Sequence, residues 1–164
     1  MIFGVAKGLT TNEKIDMFLF EKKAIQLPEV TEQNHVSYVQ DVVMKHPMNG
    51  TNIYAPIEAI HEKYAKGSTA KAGVFVILIT DGENNDEADN AKIKAHFAAN
   101  HDTPIFWQFV GLGAKFDFLE DVAKTSPNAA FFNLNDVQSV SDDALLERLM
   151  QKFPKWITQV MPAR

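Results

Sequence analysis

Val74-Phe-Val-Ile-Leu-Ile-Thr80-Asp81-Gly82-Glu83-Asn84 is the stretch on which the fold turns. Val74–Thr80 is a continuous apolar run of strand length, rich in β-branched residues, as a strand covered on both faces of a parallel sheet requires. A carboxylate, a glycine and an acidic loop follow it. Gly82 permits a sharp turn, so Asp81 is presented at a fixed place on the strand's carboxyl end. A divalent cation bound through oxygen would suit such a carboxylate. The competing reading is an Asp-Gly turn and nothing more.

Outward from this strand, helical and strand signals alternate. Lys14–Phe20 reads as a strand, and Lys23–Leu27 as a second after a tight turn, ended by Pro28-Glu29. Thr31 is placed to cap a helix through Met44, with Val36, Val39, Val42 and Val43 on one side. Pro47–Gly50 is a loop. Pro56 suits the first turn of a helix in which Ile57, Ile60 and Tyr64 repeat at helical spacing, and Gly67 stops it. Ala88–Asn100 is helical, with Ile93 and Phe97 four apart. Pro104–Val110 is strand, Lys115–Lys124 helix and Ala129–Leu134 strand. Ser141 caps a last helix carrying Leu145, Leu146, Leu149 and Met150. Pro154 kinks or restarts it, and Trp156 and Ile157 continue it. Alternation of this kind predicts an α/β fold: one doubly wound, Rossmann-like domain over 1–164, with a mostly parallel sheet and helices on both faces. Ligands of such sheets bind at the carboxyl ends of the strands.

Composition narrows the function. The chain has 164 residues, 46% hydrophobic and 23% charged, which fits one globular domain and excludes disorder throughout. The longest aliphatic-aromatic run, Val74–Ile79, has six residues. A membrane span needs about 20, so none is expected. The opening Met1–Ala6 lacks the pattern of a signal peptide. With no cysteine there is no disulfide, thiolate metal site or thiol nucleophile. A cytoplasmic setting is the expectation. Met1–Ala72 carries eight basic and eight acidic side chains, and Gly73–Arg164 eight and thirteen, so the net charge of −5 lies in the second part. Asp81, Glu83, Asp86, Glu87 and Asp89 crowd one loop. Arg148 and Arg164 are the only arginines, which speaks against nucleic acid. A cation or a basic partner near Asp81 is the electrostatically sensible ligand.

Other strand ends are weaker signals. Asn49-Gly50-Thr51-Asn52 offers a hydroxyl and helix-start N–H groups, or simply a helix cap. Val110-Gly111-Leu112-Gly113-Ala114-Lys115-Phe116 lacks the third glycine of the dinucleotide fingerprint and reads as a tight strand-to-helix turn. There is no G-x-x-x-x-G-K-S/T phosphate loop, no H-E-x-x-H, no G-x-S-x-G elbow and no Asp-x-Asp nucleophile pair. His96 and His101 read as solvated. Phe106, Trp107 and Phe109 read as core.

Taken together, the loop Ile79–Asn84, the earlier Gly50-Thr51-Asn52, the run Pro104–Gly113, Phe116–Glu120 and the ending Phe153-Pro154-Lys155-Trp156 resemble von Willebrand factor A (vWA) domains. The closest branch is that of bacterial tellurium-resistance, TerF-like proteins, with copines more distant. The resemblance spans about Glu13 to Val160. It implies a Rossmann-like fold with a metal-ion-dependent adhesion site (MIDAS), in which oxygen ligands from three loops hold Mg²⁺ or Mn²⁺ and a partner's carboxylate completes the shell. By that resemblance Thr51 and Asp81 are the metal residues, and Asn52, Gly82, Glu83 and Asn84 form a rim for a protein partner. The implied role is binding, not catalysis.

One departure matters. The family's first loop, Asp-x-Ser-x-Ser at the end of a central strand, does not occur in this sequence, and Ile2–Leu9 resembles the tail of the helix that follows it. Any Mg²⁺ or Mn²⁺ is therefore expected to be held weakly. The missing strand belongs between Lys14–Phe20 and Val74–Thr80. Those strands must close up, or a groove with unpaired backbone groups remains. Three explanations stand: a fragment, a natural truncation with a rearranged sheet, or a sheet completed by a strand donated from another chain. The leading expectation is a metal-dependent, partner-recruiting module of a tellurium-resistance or stress-response system. The alternatives are a small Mg-dependent hydrolase or nucleotide-binding domain, and an inactive fragment.

Overall fold

A computed structural model describes residues 14–46, 50–65, 73–84, 86–113, 115–135 and 140–160. The expectations for Ile2–Leu9, Pro47–Asn49, Gly67 and Ala114 lie outside them. The described elements run β1 (Ile15–Phe20), β2 (Ala24–Val30), α1 (Tyr38–Asp41), a 3₁₀ turn (Val43–Lys45), α2 (Tyr54–Ala65), β3 (Val74–Thr80), α3 (Glu87–Ala99), β4 (Ile105–Gly111), α4 (Asp117–Thr125), β5 (Ala129–Asn133), α5 (Asp142–Leu149) and α6 (Phe153–Val160).

β3, β4 and β5 form a parallel sheet in that order, in uninterrupted register from Val74 opposite Ile105 to Gly111 opposite Asn133. β4 is the middle strand, and Ile105-Phe-Trp-Gln-Phe-Val-Gly111 is buried at every position. Alternate residues divide between two cores, as the period of two dictates. Ile105, Trp107 and Phe109, with Val74, Val76 and Leu78 of β3, pack on Ile57 and Ile60 of α2, Ile93 and Phe97 of α3, and Leu119 and Val122 of α4. On the opposite face Val110 packs with Leu145 and Leu149 of α5, joined by Phe75, Ile77 and Ile79, while Phe106 meets Phe153 and Trp156 of α6. This is the expected α/β arrangement with helices on both faces, and Phe106, Trp107 and Phe109 are core as expected.

The remaining two strands stand apart. β1 and β2 form their own antiparallel sheet, and among the described residues β1 and β3 are not hydrogen-bonded to each other. Among the described residues, then, β1 and β3 have not closed up into one ladder. Neither flanking strand is fully covered: β1 is half-buried at all six positions and β3 at five of seven.

Three local expectations are corrected. The helix expected from Thr31 to Met44 is only the four-residue α1 and the 3₁₀ turn. Val36 and Val39, expected on its apolar side, are 87% and 57% exposed, and Tyr38 is the buried residue. Four valines in this stretch lose rotamer freedom in a helix. Thr31 does not cap it either, because Thr31 N–H instead donates to Asn34 Oδ1 at 2.8 Å in a local turn. Pro28 does not end β2, which runs to Val30. That strand lies at the sheet's edge, where a proline costs no ladder bond. His96 is not solvated: it is half-buried, with the edge of its ring against His61 of α2 at 4.8 Å between centroids. Burial, then the neighbouring His61, lowers its pKa to about 4. His101 is exposed, as expected.

Candidate functional site

The carboxyl ends of β1 and β3 meet at the start of α2. Asn52 N–H donates to the Glu21 carbonyl just after β1 (2.7 Å). A Cβ on Gly82, just after β3, would lie 3.7 Å from Thr51 Oγ1. Thr51 is thus held between the two strand ends, and this is where an α/β sheet places its ligands. An open cleft of about 640 Å³ lies here, lined by Glu21, Lys22, Thr51, Asn52, Asn84, Asp86, Glu87 and Asp89.

Each side chain has a local reason for its place. Asn52 Oδ1 accepts from Ala55 N–H (3.0 Å), fixing the first turn of α2. Thr80 Oγ1 donates to the Gly82 carbonyl at 2.7 Å, and Gly82 N–H donates back to it at 3.3 Å, so the strand turns sharply and leaves Asp81 exposed. Asn84 is buried. Its amide donates to Asn90 Oδ1 (3.0 Å), and Asn90 donates back to the Asn84 carbonyl (3.2 Å). That exchange staples the loop to α3. Asp86 caps α3, accepting from Ala88 N–H at 2.8 Å and Asp89 N–H at 3.3 Å. Asp89 is paired with Lys92 at 2.8 Å, and that bond raises the Lys92 pKa.

The site residues named from sequence therefore divide. Thr51, Asn52 and Asn84 line the cleft, and Gly82 lies beside Thr51, close enough that an added Cβ would touch its side chain. Asp81 is exposed in the same turn. Glu83 faces elsewhere: its Oε1 accepts from Phe118 N–H (3.0 Å) at the start of α4. Asn84 and Glu83 thus spend their hydrogen bonds on the loop itself. Glu21 and Lys22 were not singled out in the sequence, because a charged three-residue hairpin turn carries no signal of the cleft it borders.

Four acids against one lysine make the cleft's lining acidic. Oxygen is the donor type that Mg²⁺ and Mn²⁺ prefer, but an octahedral ion needs about six such ligands. Thr51 and Asp81 provide two, and among the described residues no group of three or more His, Asp or Glu side chains could hold a metal ion. The described residues alone do not fit a complete cation site.

Gly111 and Gly113 belong to the strand-to-helix turn. A Cβ on Gly111 would lie 2.4 Å from the buried Phe116 ring, and Gly113 has φ +134°, in the region that favours glycine. Gly111 thus serves close packing of Phe116, the tight-turn reading.

The chain belongs to the vWA-TerF-like family, described as the vWA found in the TerF C terminus, which it matches over residues 1–164. It is also similar to YcbR of Bacillus subtilis (strain 168), an uncharacterized protein, at 27% identity over 167 residues. That match covers 96% of this chain and 67% of YcbR. Among the described residues no helix is long and apolar enough to cross a membrane.

Proposed function

We propose that the chain is a non-catalytic module that recruits a protein partner to the acidic cleft at the ends of β1 and β3, in a tellurium-resistance or stress-response system. The observation that carries this reading is the convergence of Thr51, Gly82 and the acidic lining on one cleft where the two sheets meet. Family membership supports it, since vWA domains commonly bind proteins. The tellurium link rests on the TerF-like family alone, and with no cysteine the chain would not act through thiol chemistry. Dependence on Mg²⁺ or Mn²⁺ belongs to the complex: Thr51 and Asp81 offer two oxygens and the partner supplies others. The same partner completes the split sheet by donating a strand.

Asp81→Ala tests the metal-dependent half. Asp81 is exposed in its turn, so the fold should survive. The expected result is partner binding that is strengthened by millimolar Mg²⁺ in the natural chain and insensitive to it in the variant. Equal magnesium dependence in both would sink the assignment of Asp81.

A further inference from the structure

We infer that Asp81-Gly82 is a site of slow covalent modification, at which the Gly82 amide nitrogen closes onto the Asp81 side-chain carboxyl and water reopens the ring as a β-linked isoaspartate. Nucleophile and target are neighbours in the chain, so the closure is intramolecular and needs only the right rotation. Asp81 is exposed, and its carboxylate makes no hydrogen bond or ion pair with the described residues. The Gly82 N–H is held by one long bond, 3.3 Å to Thr80 Oγ1. Both groups can therefore turn toward each other. Asp86, in the same loop, is the contrast. It is exposed as well, but its carboxylate is tied by Ala88 N–H at 2.8 Å and Asp89 N–H at 3.3 Å, and Glu87 rather than a glycine follows it.

The glycine points the same way. A fold requires glycine where φ is positive or where a Cβ would collide with its surroundings. Gly113 meets the first condition, with φ +134°, and Gly111 the second, against the Phe116 ring at 2.4 Å. Gly82 meets neither. The described glycines with positive φ are Gly73 and Gly113, and the nearest atom to a Cβ on Gly82 would be Thr51 Oγ1 at 3.7 Å, an ordinary contact. Packing at this turn accepts a side chain. The ring closure does not, because a Cβ crowds the attacking nitrogen.

The chemistry balances with water alone. The Gly82 nitrogen bonds to Asp81 Cγ and the Cγ–OH bond breaks. The hydroxyl leaves as water with the proton given up by the nitrogen, and a five-membered succinimide remains. Water then adds at either ring carbonyl. Opening at Cγ regenerates aspartate. Opening at the main-chain carbonyl breaks its bond to the Gly82 nitrogen, returns a proton to that nitrogen and leaves a carboxylate on Cα. The main chain then runs through Cβ and Cγ and is one carbon longer in the turn after β3. Resting on the reading of Asp81 as an oxygen donor in the partner complex, this product takes the carboxylate out of its place, so the site ages.

The test incubates the full chain for weeks at neutral pH in H₂¹⁸O with EDTA, folded and, in parallel, unfolded in urea. Digestion with trypsin in ordinary water follows. The peptide of residues 72–92 holds both Asp81 and Asp86. The expected result is two chromatographic forms of equal mass, each with one ¹⁸O at residue 81 and none at residue 86, formed in the folded chain within about tenfold of the unfolded rate. Gly82→Ala should slow the conversion by about tenfold or more while keeping the urea midpoint of the natural chain. No label at residue 81 in the folded chain, or a folded rate further below the unfolded one, would overturn the inference, because the fold would then be holding the two groups apart. Equal labelling at residue 86, or a Gly82→Ala rate equal to the natural one, would do the same. The assay reads one covalent bond with neither partner nor metal present, so its failure leaves the reading of the cleft untouched.

Discussion

Replacing Gly111 with alanine should destabilise the protein by about 2 kcal/mol, within the ~1–3 kcal/mol typical of overpacking a filled core. The added Cβ would lie 2.4, 2.5 and 2.9 Å from three atoms of the Phe116 ring. Ordinary carbon contacts start near about 3.5 Å, so the ring or the backbone must move by roughly 1 Å. Phe116 is 4% exposed and belongs to the core under β4, with Phe131 at 5.8 Å, so it has little room to yield. Urea unfolding measures the effect. With a slope of about 2 kcal/mol per molar, the midpoint should fall by about 1 M. Shortening the ring should relieve the clash, so Gly111→Ala with Phe116→Leu should cost less than the sum of the two single changes. A Gly111→Ala protein within about 0.5 kcal/mol of the natural one would refute the packing reason for this glycine, and with it the argument that the Gly111-Leu112-Gly113 turn is spent on the fold.

Three further predictions concern stability. His96 has its folded pKa lowered to about 4, against an unfolded value near 6.5, so its contribution is complete above about pH 6.5 and is lost as pH falls toward about 4. After discounting for its half-exposed position the loss is about 1 kcal/mol, and His96→Phe should flatten the urea midpoint over that window; an equally steep pH dependence in the variant would clear His96 of the role. Asp86→Ala should remove the cap of α3 and cost about 1 kcal/mol, read as a lower thermal midpoint. Lys152 Nζ donates to the carbonyls of Ala123 (3.2 Å), Ser126 (3.0 Å) and Ala129 (2.5 Å), closing the end of α4 onto β5. Lys152→Met should cost about 2 kcal/mol in urea unfolding, and a neutral result would show that water replaces the ammonium freely.

The parallel strands were legible because their patterns were unambiguous. Val74–Thr80 is a continuous apolar run and Pro104–Val110 an apolar one broken by Gln108, each flanked by turn residues, and tertiary packing agreed with them. Thr31–Met44 misled because valines at helical spacing imitate an amphipathic helix while their branched side chains disfavour one. His96 was invisible as a packed residue because its neighbour His61 lies on another helix, and sequence distance conceals that meeting. At the candidate site, Thr51 and the Asp81 turn could be read from strand ends alone. Where Glu83 and Asn84 spend their hydrogen bonds could not, since Phe118 and Asn90 are their partners only after α3 and α4 have docked. The split between β1 and β3 was anticipated only as one of two outcomes, because local signals do not say whether two strands pair.

A partner that engages the cleft where the ends of β1 and β3 meet must come within reach of a probe placed there. Photo-crosslinking in cells, with a crosslinking amino acid at Lys22 in the cleft lining and, separately, at His101 beyond the far end of α3, tests it most directly. Both positions border open surface and neither anchors the fold. The expected result is a crosslinked protein partner from position 22 and none from position 101. A partner crosslinked only from position 101, with position 22 silent in a folded protein, would contradict it.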